Sequence, residues 1–365
     1  MNFETIVGIE IHVEMKTKSK MFSLAPISFG LKPNSEVVAF DMAFPGTMPR
    51  VNKEAVKNAI RVSNALHMSI DQEIWFDRKN YFYSDLPKGF QITQQARPIG
   101  SEGYLIINVN GKDKKIGIER LHMEEDTCMQ HHFSDYTLLD YNRAGIPLIE
   151  IVSKPEIRSG EEARKYVEKI REIVTFSNVS DGKMEEGSLR CDVNVSIRPY
   201  GSDKFGTKVE IKNLNSIANV EKAIDFEAKR QSELLLLGQE VEQETRRYDE
   251  AKKETVLMRK KTDAADYKYF TEPNIPPIKL SDEFVKDAID TCPELYDQKL
   301  ERFLNNYGLN EVDAKILLTS VDMANYYDEA AKFTKLYQPL ANFMISDVNG
   351  YLNKNTISIL DFKVE

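Results

Sequence analysis

Cysteine is scarce in this chain, and its few copies stand apart. Cys128, Cys191 and Cys292 are the only three among 365 residues, with no CxxC pair, which excludes a disulfide framework and a cysteine-built structural zinc site. Such usage suits a reducing compartment, so a cytoplasmic location is expected. No apolar run approaches the length of a membrane span, and the first residues enter a strand pattern directly. Neither a transmembrane segment nor a signal peptide is therefore expected. Basic residues are outnumbered, and the net charge of -9 argues against nonspecific nucleic-acid binding while saying nothing about a local basic patch. There is no GxxxxGK[ST] loop and no GxGxxG after a strand, which excludes P-loop and dinucleotide-type crevices. No serine or cysteine sits in a nucleophile-elbow context, so a self-sufficient hydrolase is not expected.

What the chain does contain is alternation. In Ile6–Met15, Val7, Ile9, Ile11, Val13 and Met15 fall on one face, and Glu10, His12 and Glu14 on the other. Successive side chains of a strand point to opposite sides, so this is a strand with one apolar and one ionisable face. Same-face neighbours stand roughly 6–7 Å apart, which lets Glu10 and His12 converge on one ion or ligand. The pattern returns in Leu189–Arg198, with Arg190, Asp192 and Asn194 on the polar side, and in Lys208–Lys212, with Lys208, Glu210 and Lys212. Leu148–Val152 is apolar except for Glu150, a carboxylate that is costly to bury without a partner or a metal. Glu124, Glu125 and Asp126 follow one another and must repel unless solvent or a cation relieves them: a solvated loop or a metal site. Carboxylates, lysines and arginines on one concave face suit a metal–nucleotide site, acids for the cation and bases for phosphates.

Other elements follow from local chemistry. Asn52 caps a helix with Ala55, Val56, Ala59, Ile60, Ser63 and Leu66 on one face. Strands at Tyr104–Val109 and Lys115–Glu119 flank an Asn110-Gly111 hairpin turn. Ser159 with Glu162 opens a second helix, and a long one from about Ser216 to Leu237 ends at Gly238. Trp75–Tyr83 mixes aromatics with cations, suited to stacking a base or a terminal adenosine, or equally to an aromatic core strand. Residues 244–261 turn basic. The aromatic–proline run Asp266–Pro277 is read as a domain boundary, giving a catalytic domain over 1–280 and a helical domain over 281–365.

Several of these runs resemble the B subunit of the bacterial and organellar glutamyl/aspartyl-tRNA amidotransferases: Gly8–Val13, Asp77–Tyr83, Leu121–Asp126, Leu139–Glu150, Glu210–Ser216 and Glu244–Arg247. The resemblance implies an α+β fold, an antiparallel-sheet cradle like the catalytic part of glutamine synthetase followed by an all-α domain. It implies a ligase that phosphorylates the side-chain carboxylate of Glu-tRNA(Gln) or Asp-tRNA(Asn) with ATP. Ammonia from a partner A subunit, an amidase-type glutaminase, then displaces the phosphate, and a C subunit completes a heterotrimer. By the same resemblance His12, Glu125 and Glu150 hold Mg²⁺ with Glu10 alongside, and Lys79, Tyr81 and Arg143 bind the nucleotide. Charge and strand face suggest Arg190, Lys208 and Lys212 for phosphate neutralisation, and Asp192 or Glu210 for the ammonium proton. Ser84 and Thr271 stand where the family usually has proline, and family members continue into a helical tail module beyond the position of Glu365. The rival readings are a metal-dependent ATP ligase for a small carboxylate and a noncatalytic scaffold for an amidase and tRNA.

Overall fold

The alternating opening stretch is a twelve-residue strand, β1 (Phe3–Glu14), at the centre of a nine-stranded sheet. The computed structural model describes residues 2–28, 30–260 and 266–362; Lys261, the last cation of the basic run, lies outside them. Helix α1 (Lys53–Ala65) follows, its N-cap Asn52 accepting from the Glu54 and Ala55 N–H groups. Four short strands come next: β2 (Ser69–Ile70), β3 (Glu73–Ile74), β4 (Asp77–Asn80) and β5 (Phe90–Thr93). The long hairpin β6 (Gly100–Val109) and β7 (Lys112–Glu125) turns at Asn110 and Gly111. Both are left-handed, with φ of 52° and 75°, as a two-residue turn between right-twisted strands requires.

A small hairpin, β8 (Met129–His132) and β9 (Thr137–Asp140), leads into β10 (Pro147–Ser153) and helix α2 (Gly160–Phe176). Then come β11 (Leu189–Pro199), β12 (Val209–Lys212), helix α3 (Ile217–Leu236), β13 (Glu244–Asp249) and β14 (Glu254–Lys260). The sheet order is β14-β13-β12-β11-β1-β10-β7-β6-β2. All its pairings are antiparallel except β12 with β13. There α3 intervenes, and a helical crossover delivers the next strand parallel. The sheet is thus mixed where an antiparallel one was expected, and the α+β class holds.

One face of the sheet is greasy. Val7, Ile11 and Val13 are fully buried and Ile9 nearly so, in one core with Ala59 and Ile60 of α1, Tyr166 and Ile170 of α2, and Val220 and Ile224 of α3. Burying each large aliphatic side chain contributes about 1.5–3 kcal/mol, so this layer fixes the sheet's orientation and leaves the alternate residues on the other side.

The described residues fall into two compact units, 1–174 with 178–292, and 175–177 with 293–365. The aromatic–proline run belongs to the first. Its strand β15 (Phe270–Thr271) pairs with β4, and β16 (Ile278–Lys279) pairs with β3. Arg78 on β4 grips Glu272 through Nε and a terminal nitrogen at 2.6 and 3.1 Å. Helix α4 (Asp282–Asp290) packs in the same core through Ala288. The second unit is helical, from α5 (Tyr296–Asn305) through α6 (Glu311–Leu317), α7 (Val321–Ala331), α8 (Tyr337–Phe343) and α9 (Asn349–Asn355). Its core gathers Phe303, Leu317, Tyr327 and Met344.

The substitution Ile11→Ala removes a wholly buried side chain from the central strand. It is expected to lower stability by about 2–5 kcal/mol, read as a fall in the urea midpoint with the slope unchanged.

Candidate active site

Backbone register places the polar face in rows. His12 on β1 is directly opposite Glu150 on β10 and Arg190 on β11, and Glu150 is opposite His122 on β7. The row His122–Glu150–His12–Arg190 therefore crosses four adjacent strands. Beside it runs a second row, Arg120–Val152–Glu10–Asp192, continued by the Asp192–Lys212 ion pair and by Lys212 opposite Arg247. A third begins at Gly8, opposite Asn194, then Glu210 and Thr245. Residues far apart in the sequence meet because β1 lies between β10 and β11.

The first row holds a tight ionic cluster. His12 Nε2 is 3.6 Å from both Glu124 and Glu150, and His122 Nε2 is 3.0 Å from Glu150 and 3.6 Å from Glu124. One ligand atom each from His12, Glu124 and Glu150 lies within 4.8 Å of the others. Two carboxylates and an imidazole at that spacing fit a divalent cation that accepts oxygen and nitrogen donors. Burial by itself would depress the His122 imidazole, but Glu150 and Glu124 outweigh it and lift it to about 9. The same balance raises His12. Burial would raise the Glu150 carboxyl, yet the two imidazoles hold it well below the ordinary carboxylate range.

The Glu124-Glu125-Asp126 run is no solvated loop, for all three are buried, at 4%, 1% and 4% exposure. Strand β7 continues to Glu125 and parts them by alternation. Glu124 joins the histidines. Glu125, expected as a ligand, is instead held by Lys88 at 2.8 Å and accepts from the Ile92 N–H at 3.0 Å. Asp126 takes the Arg190 guanidinium at 2.7 Å. The carboxylate that the structure brings to His12 and Glu150 is thus Glu124, two residues along β7 from His122.

Most other expected residues share the face, in pairs. Lys212 Nζ lies 2.5 Å from Asp192 and 3.3 Å from Glu210, and the Thr245 hydroxyl donates to Glu210 at 2.9 Å. Glu10 accepts from the Asn194 amide at 3.1 Å. Burial and the neighbouring Glu150, Asp192 and Glu210 charges raise its carboxyl above the usual value, His12 opposing. Lys208 lies just before β12 and is exposed, outside these rows. Arg143 donates to the Thr127 and Cys128 carbonyls at 2.9 and 3.0 Å and so braces a loop. Lys79 stands over the Tyr267 ring at 4.8 Å, and Tyr81 meets Tyr267 edge-on. The returning aromatic segment thus completes the aromatic–cation patch. His122 lies beyond the residues that pattern alone singles out, and Glu124 and Asp126 belong to the acidic run that pattern leaves open between a solvated loop and a metal site. Their signal is the alternation His122-x-Glu124, masked by three acids in succession.

The GatB/GatE catalytic domain family matches residues 5–286. Three curated relatives, each named as the B subunit of an aspartyl/glutamyl-tRNA(Asn/Gln) amidotransferase, are similar over nearly the whole chain. That of Mesoplasma florum is 56% identical over 98% of this chain and 75% of its own length. The Mycoplasma capricolum protein is 55% identical over 100% of this chain and 76% of its own, and that of Staphylococcus saprophyticus 51% over 100% and 77%.

Glu14 gives a pH prediction. Burial, then the adjacent Asp126 charge, pushes its carboxyl up to about 9, so the folded chain holds a proton there that the unfolded chain has released. Stability must then fall as pH rises from the ordinary carboxylate range through neutrality. In Glu14→Gln that part of the decline is expected to vanish, measured as wild-type minus variant unfolding free energy between about pH 5 and 8.

Proposed function

The chain belongs to the GatB/GatE catalytic domain family, and on that footing we propose that it amidates misacylated tRNA as the B subunit of an amidotransferase. The observation that carries this reading is the cluster of His12, Glu124 and Glu150 beside paired acids and bases on one sheet face. A ligase that activates a carboxylate with ATP needs both: acids for a divalent cation, and fixed positive charge near developing phosphate charge.

In this reading the side-chain carboxylate of Glu-tRNA(Gln) or Asp-tRNA(Asn) attacks the γ-phosphorus of ATP. A new O–P bond forms, the bond to the β,γ-bridging oxygen breaks, and ADP leaves. Ammonia from a partner A subunit then attacks the acyl carbon; the C–N bond forms, the C–O bond to phosphate breaks, and inorganic phosphate departs. The proton lost from nitrogen passes to Asp192 or Glu210, both held in place by Lys212. Arg190 keeps Asp126 ionised at the edge of the cluster. His12, Glu124 and Glu150 would hold Mg²⁺, with Glu10 alongside, and the ion would supply charge neutralisation at the phosphates. Lys79, Tyr81 and Tyr267 offer a stacking surface for the terminal adenosine or the nucleotide base. A C subunit completes the assembly, and the cytoplasm is its place.

Two measurements test this. Phosphate release by the chain assembled with A and C subunits should require Mg²⁺ and Glu-tRNA(Gln) and disappear in Glu150→Ala. Turnover indifferent to tRNA would instead indicate a ligase for a small carboxylate. Separately, Mn²⁺ titration should show binding lost in Glu124→Gln but kept in Glu125→Gln. The latter leaves half-buried Lys88 without its buried partner and is expected to cost about 3–5 kcal/mol of stability. The reverse result would restore Glu125 as the ligand.

A further inference from the structure

Almost every cation around the cluster already has a protein partner. Arg190 is held by Asp126, Lys88 by Glu125, and Lys212 by Asp192 and Glu210; Arg143 donates to backbone carbonyls. Arg120 differs. It lies on β7 two residues before His122, about 6–7 Å along the strand, in the row that passes through Val152 to Glu10. Its Nε is buried without a hydrogen-bond partner, and among the described residues its guanidinium makes neither a hydrogen bond nor an ion pair. The buried Nε–H has been drawn from water without a partner, which is costly, while the terminal nitrogens of this half-buried side chain remain open to an incoming ligand.

The floor beside Arg120 is kept low. Its row neighbour on β10 is Val152, where the pairing with β7 slips between Val152 and Ser153, and such irregularities re-aim side chains next to active sites. On β1 the same face carries Gly8, between Ile6 and Glu10. A Cβ built at Gly8 meets nothing within 4 Å, and its backbone is not in the left-handed region. Among the described residues nothing therefore demands glycine there, and glycine in a strand interior often marks the close approach of another molecule.

Resting on the function proposed above, we infer that Arg120 binds the terminal phosphates of the nucleotide, over the floor of Val152 and Gly8 and next to the His12–Glu124–Glu150 cluster. A guanidinium offers several N–H donors in a fork that fits phosphate oxygens. Acids on one side for a divalent cation and an unpaired guanidinium on the other provide two opposed supports for a polyphosphate. The acids alone would repel it.

The test is equilibrium binding of the β,γ-imido analogue of ATP with Mn²⁺, and of AMP, to the full chain. Wild type is compared with Arg120→Gln and Arg120→Lys, each checked by thermal denaturation. Arg120→Gln is expected to weaken the analogue about 10- to 100-fold, the range for a lost charged hydrogen bond, with AMP and Mn²⁺ binding unchanged and Arg120→Lys recovering part of the loss. Unchanged affinity for the analogue, or equal weakening of AMP, overturns the inference while leaving the function standing. So does a rise confined to the KM for Glu-tRNA(Gln), which would assign Arg120 to the aminoacyl carboxylate. Failure of the wild-type chain to bind the analogue with Mn²⁺ overturns the function and the inference together.

Discussion

A carboxylate taken out of water must find a cation, a donor or a proton, and the centre of this protein is organised by that demand. Glu150 is answered by two imidazoles, Glu125 by Lys88, Asp126 by Arg190, and Asp192 with Glu210 by Lys212. Glu14, beside Asp126, is answered by a proton. Losing one partner of a buried pair is far more damaging than never having had the pair. These acids and bases therefore hold one another in place across the polar face, and Arg120 stands outside that pairing.

That surface exists because the other face is sealed. Helices α1, α2 and α3 bury the apolar side of the sheet in one core. The alternate residues are thereby fixed toward the side on which ligands can approach. The rigidity of a sheet suits this role, since groups carried on paired strands hold their spacing better than groups on loops. The returning segment 266–272 adds a wall outside the nine-stranded sheet, tied down by Arg78 with Glu272 and by Lys79 over Tyr267.

Much of this is legible in the sequence wherever period-two alternation is unbroken. The strand at Ile6–Met15, the polar set Arg190–Asp192–Asn194, Glu150 in its apolar run, the Asn52 helix cap and the long helix from about Ser216 all stand where residue pattern places them. The pattern leaves Leu121–Asp126 open between a solvated loop and a metal site. In the fold the three acids are buried and each meets different partners. Which of two neighbouring glutamates faces His12 depends on where β7 ends, and strand ends are not written in local composition. Lys208 shows the converse: alternation extends the strand one residue too far, and the side chain is exposed ahead of β12.

By itself the sequence determined which residues alternate, where helices start, that the fold combines a sheet with helices, and that acids and bases share one sheet face. Those are consequences of backbone geometry and of nearest-neighbour chemistry, which act over a few residues. Only the tertiary structure decided that His122, Glu150, His12 and Arg190 form one row, and that Glu124 and not Glu125 joins it. It also decided that Arg120, unlike Arg143 and Arg190 nearby, is left without a partner among the described residues. Those facts rest on the register of strands from distant parts of the chain. Register is settled when the whole apolar face is buried at once, because a one-residue slip would turn every side chain of a strand to the wrong side.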